Sequence, residues 1–153
     1  MKFIVAIAIA AMTIPCCAQN EGAVVFPNHD IAAQLATLAQ TAKGSGSSGA
    51  TLGDYKSHAI KLSVRTASGG AEVHAHYDDV FVVTEGKATL ITGGTVVNAQ
   101  IGEDGEIKGS SISEGKSQTI EKSDVVHIPA GTPHQLIISP SDVFSTIVVK
   151  VRE

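Results

Sequence analysis

The residues of this chain able to do chemistry are few, and histidines lead them. His74 and His76 stand one residue apart in VHAHYDDVFVVTEG, Val73 to Gly86, and are followed by Asp78 and Asp79. Side chains alternate faces along a β-strand, so His74 and His76 project to one side of a sheet, and Glu72 shares their face. Two imidazoles and a carboxylate begin a ligand set for a divalent transition metal. A second stretch, SDVVHIPAGTPHQLII from Ser123 to Ile138, runs a strand into a Pro-x-Gly turn and opens a new strand at His134. His127 has the parity opposite to Val126 and Ile128, which puts it either in the pocket or on the outer surface. His58 shares the parity of Ile60, Leu62 and Val64, so it faces inward if they do. It then either sits at a strand end at the barrel mouth or lines the pocket.

Other chemistries fit poorly. Both cysteines, Cys16 and Cys17, lie in an N-terminal segment that reads as a secretory signal peptide: Lys2, an apolar run from Phe3 to Ile14, and small residues ending at Ala18. The run is shorter than the roughly 18 to 20 apolar residues of a bilayer-spanning helix. Cleavage after Ala18 predicts a secreted or periplasmic chain with no cysteine; a lipidated Cys16 or Cys17 is the alternative. No Gly-x-Ser-x-Gly elbow is present. A net charge of -4 without a basic run argues against nucleic acid and leaves a small molecule as the expected partner.

The elements that must position these residues are short strands. The chain has 153 residues, enough for one domain, with 43% hydrophobic but only 4% aromatic residues and fifteen glycines. Such a composition suits many strands joined by tight turns. One amphipathic helix is expected after an Asp30 N-cap, with Ile31, Leu35, Leu38, Ala39 and Ala42 on one face and a stop at Gly44. It packs either outside the barrel or against a second subunit. Residues 19–50 read as an extension in which GSGSSGA, Gly44 to Ala50, is a flexible connector. From there to residue 153 about nine or ten strands with no βαβ pattern predict an all-β antiparallel barrel or jelly roll. Within it, a turn is expected at Tyr77 and Asp78, and a hairpin at Gly93 and Gly94. On the strand Asp79 to Thr84, Asp79 shares a face with Phe81 and Val83. With Leu136 and Ile138 these apolar residues form the expected pocket lining.

Together the two stretches resemble the cupin superfamily, over roughly Tyr55 to Val151. The first family motif is Gly, five residues, His-x-His, three or four residues, Glu, six residues, Gly. The second is Gly, five residues, Pro-x-Gly, two residues, His, three residues, Asn. His74, His76 and Gly86 match the first, and Pro129, Gly131 and His134 the second. Ser68 stands where the first motif opens with glycine, and Ser123 and Ile138 replace the first and last residues of the second. Counting back from Gly86 gives Asp79 in place of glutamate, one residue closer to His76 than the family's minimum.

The resemblance implies a jelly-roll barrel holding one divalent transition metal (Fe, Mn, Ni, Cu or Zn) on His74, His76, Asp79 and His134. Asp78 and Glu72 are the substitutes for Asp79. Positions left open for water or substrate are what a catalytic site needs. A metal-dependent enzyme of oxygenase, isomerase or lyase type is the leading expectation, oxygenase-like first, with Glu72 as general base. A non-catalytic module holding a metal or small ligand is the alternative. Because Arg65 and Arg152 are the only arginines, a small neutral or phenolic compound is favoured over a phosphosugar. Homodimerisation, common in the family, is a further implication.

Overall fold

The computed structural model describes residues 22–153, so the expected signal segment lies outside the described residues. Helix α1 (Asn28–Ser45) comes first. Pro27, extended at φ -61°, occupies the cap position, and Asp30 lies in the first turn rather than capping it. The Pro27 carbonyl accepts from the Asp30 and Ile31 N–H groups, which closes the first turn without a side-chain cap. The stop is Gly46, not Gly44. It adopts a left-handed φ of 82° and donates its N–H to the Ala42 carbonyl.

Thirteen strands follow among the described residues: β1 (Ser47–Asp54), β2 (His58–Arg65), β3 (Ala71–Val73), β4 (Tyr77–Glu85), β5 (Lys87–Thr92), β6 (Thr95–Val97), β7 (Gln100–Ile101), β8 (Ile107–Gly109), β9 (Ser111–Ser113), β10 (Lys116–Glu121), β11 (Val125–Ile128), β12 (His134–Ile137) and β13 (Phe144–Arg152). They form two facing antiparallel sheets, in the orders β1-β2-β13-β4-β11 and β10-β5-β12-β3-β8-β7, and a small β6-β9 ribbon. The architecture is a jelly-roll sandwich.

The Gly/Ser stretch is not a flexible connector. Ser47 to Ala50 belong to β1, whose backbone pairs with β2 from Ser47↔Arg65 onward. Small side chains are what the close approach requires, since a Cβ on Gly49 would lie 2.9 Å from the Leu62 carbonyl oxygen. Gly93 and Gly94 likewise end β5 without making a hairpin. β5 pairs with β10 and β12, whereas β6 pairs with β9.

The faces of the first sheet are set by α1, which packs on β1 and β2. Ile31, Leu35 and Ala39 share a groove with Val64, Ser145 and Ile147, so the apolar parity of β2 is its outer face, buried under the helix. Lys61, Ser63 and Arg65 therefore look into the sandwich. They stand opposite Val148, Thr146 and Phe144 of β13. The inner core gathers Phe81, Val83, Leu90, Ile120, Ile128, Ile138, Phe144 and Val148. It closes one end of the sandwich and leaves a cavity of about 500 Å³ at the other.

Candidate metal centre

Two loops meet to build the site. The turn expected at Tyr77 and Asp78 falls earlier: β3 stops at Val73, Ala75 and His76 turn, and β4 starts at Tyr77. The Pro129-Ala130-Gly131 turn docks on this segment at both ends. The Gly131 N–H donates to the His74 carbonyl at 2.9 Å, and the Ala130 N–H donates to Asp78 Oδ1 at 2.7 Å. Gly131, at φ 75°, takes a backbone conformation that glycine favours. His134, the first residue of β12, then lies directly opposite Glu72 of β3 in the ladder. Cross-strand partners are close neighbours on one face, so the imidazole and the carboxylate meet.

Glu72, His74 and His134 each offer a ligand atom, and these atoms lie within 4.8 Å of one another. The opposite sheet supplies Asp79, whose Oδ2 is 3.4 Å from His74 Nε2 and 3.9 Å from His134 Nε2. Glu72 Oε2 is 3.9 Å from His74 Nε2. On both rings the second nitrogen is occupied: His74 Nδ1 pairs with the Glu106 carboxylate, and His134 Nδ1 lies 3.0 Å from the Thr132 carbonyl. Such partners fix the tautomer and aim both Nε2 atoms at the same point. Hard and borderline donors of this kind, two imidazoles with carboxylates, fit a divalent transition metal.

Charge is held unevenly across the cluster. Burial works to lower the His74 pKa, but the hydrogen bonds it donates to Asp79 and Glu106 outweigh it and hold the imidazole above its ordinary value. His134 goes the other way: burial and the neighbouring His74 charge depress it, against the pull of the Thr132 carbonyl. Asp79 is 3% exposed. Burial alone would raise its pKa, yet hydrogen bonds from His74 and Lys150, 2.7 Å away, keep it below the usual carboxylate range.

Several residues expected at the site are elsewhere. His76 is exposed in the turn and stands outside the ligand cluster, because strand alternation breaks at His74. Asp78 serves the turn instead of the centre: it accepts from Ala130 and pairs with His127 Nε2 at 2.9 Å, and these contacts lower its pKa. That pairing holds His127 on the outside. His58 stacks on Tyr55 with ring centroids 4.9 Å apart, on the outer parity of β2. Val83, 2% exposed, belongs to the core beneath the cavity. Phe81 and Leu136 do line the cavity, beside Glu72, His74, Asp79 and His134.

The structure also adds residues that sequence reasoning missed. Glu106 lies just before β8, and the Val73↔Ile107 pairing brings it alongside His74. Lys150 is the cross-strand partner of Asp79, and its parity with Thr146 and Val148 on β13 was a legible signal. Lys61 and Arg65 enter the cavity wall because the helix claims the other face of β2. The wall is thus cationic, which removes the reason for favouring a neutral or phenolic compound.

The spacing was readable too. Counted from His74, four residues separate it from Asp79 and six more precede Gly86, the cupin interval, with Glu72 where that motif has its first histidine. Ser123 stands where the second motif has glycine and adopts the left-handed backbone that glycine favours, at φ 79°.

No protein-family model matches the chain, and comparison with curated proteins gives no match. Solved structures do match. The cupin domain of Schizosaccharomyces pombe Cnp3 superposes with a TM-score of 0.53 at 13% identity, over 70% of this chain and 65% of that one. The DMSP lyase DddQ from Ruegeria pomeroyi gives 0.51 at 15% identity, over 70% and 47%. The polyketide cyclase RemF from Streptomyces resistomycificus gives 0.51 at 17%, over 71% and 66%. The chain spans about half the length of the lyase and about two thirds of the other two. By its two facing antiparallel sheets, and by these superpositions, this chain has the fold of the cupin superfamily.

Proposed function

We propose that this protein is a mononuclear metal-binding cupin whose ion is held by Glu72, His74 and His134, with Asp79 as a fourth donor, and that it acts on a small organic compound bound in the adjoining cavity. The observation that carries this reading is the convergence of three ligand atoms within 4.8 Å on the wall of a cavity of about 500 Å³, a size suited to a small molecule. When bound, a divalent ion would supply Lewis-acid or oxygen chemistry of oxygenase, isomerase or lyase type. Glu106 and the Thr132 carbonyl orient the two imidazoles. Lys150 holds Asp79 ionised and turned to the centre, and Phe81 and Leu136 exclude water from one side. Glu72 serves here as a ligand rather than as a free general base. The apolar N-terminal segment supports export to the periplasm or beyond.

A second reading, a binder without turnover, is favoured by one feature. Each carboxylate at the centre already has a partner: Asp79 has Lys150, Glu106 has His74, and Glu72 lies in the ligand group. The test is elemental analysis of protein purified without added metal, and of His134→Ala. A stoichiometric transition metal in the native protein, lost in the variant, is expected. Native protein without metal would overturn the site. Given metal, oxygen uptake or product formation across a substrate panel separates enzyme from binder.

A further inference from the structure

The inner face of β2 is more cationic than the metal centre beside it requires. Lys61, Ser63 and Arg65 alternate along that face, and all three line the cavity with Lys150. Lys150 is neutralised by Asp79. Lys61 and Arg65 have no carboxylate within ion-pair distance among the described residues. Arg65 Nε is moreover buried without any hydrogen-bond partner among the described residues. That nitrogen is sealed from the cavity, so it is the pairing of two cationic side chains without a carboxylate partner on one cavity wall that favours an anionic ligand.

Charge accounting points the same way. The acids facing the cavity are Glu72 and Asp79. Asp79 is already paired with Lys150, so among these acids only Glu72 is left to offset Lys61 and Arg65, with or without a bound ion. Lys61 sits opposite Val148, two residues from Lys150, so two lysines are diagonal neighbours in a chain whose net charge is -4. Asp79 already offsets Lys150, which leaves Lys61 as the lysine of the two without an anion. Phe81, Leu136 and Val148 supply an apolar surface in the same cavity.

We propose that the compound bound in this cavity is a small organic carboxylate, its apolar body against Phe81, Leu136 and Val148 and its anionic group held by Lys61 and Arg65. The assignment rests on reading the cavity as the substrate site, but it requires no metal. Arginine offers a planar fork matched to a carboxylate, and charge-assisted hydrogen bonds in a partly dry site discriminate against the neutral amide.

The test compares hexanoate with hexanamide by titration calorimetry on the full-length protein, both stripped with a chelator and loaded with metal. Hexanoate is expected to bind about tenfold or more tightly than hexanamide in both states. Lys61→Gln and Arg65→Gln should each weaken hexanoate about tenfold and leave hexanamide unchanged. Melting curves verify folding, and Lys61→Gln, at a half-exposed position, keeps the test valid if the arginine variant fails to fold. Equal binding of the two probes, no hexanoate binding, or undiminished discrimination in Lys61→Gln or in a folded Arg65→Gln would overturn the proposal. Discrimination seen only in the metal-loaded protein and abolished by His134→Ala would assign the anion to the metal, and would overturn it equally. Failure to bind metal, with discrimination intact, would defeat the metal reading alone.

Discussion

At the scale of single residues, the two histidines of the centre differ in how a proton affects them. His74 is raised above the ordinary imidazole value of 6.5, because its hydrogen bonds to Asp79 and Glu106 outweigh its burial. A raised group adds stability below its unfolded pKa and loses that contribution as pH rises through its folded value. His134 is depressed by burial, so it costs stability as pH falls from 6.5 through its lower folded value. In metal-free protein the two act on opposite sides of about 6.5, His134 below it and His74 above it, so stability peaks near that value. Removing His134 by His134→Gln should expose the His74 signature, a melting temperature that falls as pH rises above about 6.5. A variant whose stability instead rises over that range would show that His74 is not held protonated. Metal reverses the sign, because bound Nε2 must be free of its proton. Affinity should therefore fall on acidification, and Glu106→Gln should weaken binding by about 10- to 100-fold by loosening the His74 ring. Isothermal titration with Zn(II) or Mn(II) reads both effects.

At the scale of elements, the centre depends on the docking of one turn on another. Asp78 joins them through Ala130 and His127, so Asp78→Ala should lower the melting temperature and weaken metal affinity together, although Asp78 touches no ligand atom. A variant that lost stability but kept full affinity would mean that the two turns are held by other contacts. Gly86 ends β4 at φ 78°, and a Cβ there would lie 2.0 Å from the Val143 carbonyl oxygen. Gly86→Ala should cost about 1–3 kcal/mol or more in urea unfolding, from backbone strain and that clash. The turns explain what the sequence could and could not reveal. Pro129, Gly131 and His134 were legible because a Pro-x-Gly turn is a local signal. His76 misled because alternation was carried through Ala75, where the strand had already ended. Glu106 could not be found by any local pattern, since only the pairing of β3 with β8 brings it to His74.

For the whole molecule, the all-β architecture was legible in the glycine-rich, Val- and Ile-based composition, and the two motifs located the centre. What the sequence hid was the choice of inner face on β2. Ile60, Leu62 and Val64 look like a core stripe, and Leu62 and Val64 are buried, but α1 covers that side and sends Lys61 and Arg65 into the cavity. The same arrangement would make a bound ion a link between sheets, with Glu72 and His134 on one, His74 just past the end of β3, and Asp79 on the other. A ligand that binds only the folded state stabilises it by mass action, by about 2.7 kcal/mol at a hundredfold excess over Kd. Metal should therefore raise the melting temperature of the native protein and of His76→Ala alike, but not that of Glu72→Ala. A loss of the shift in His76→Ala would restore His76 to the centre.

The most direct test of the proposed centre is X-ray absorption at the edge of the bound metal, which counts imidazole neighbours by their multiple scattering. The expected result is the signature of His74 and His134 with oxygen donors completing the set, unchanged in His76→Ala and reduced by one imidazole in His134→Ala. A third imidazole in the native spectrum, lost in His76→Ala, would contradict the assignment.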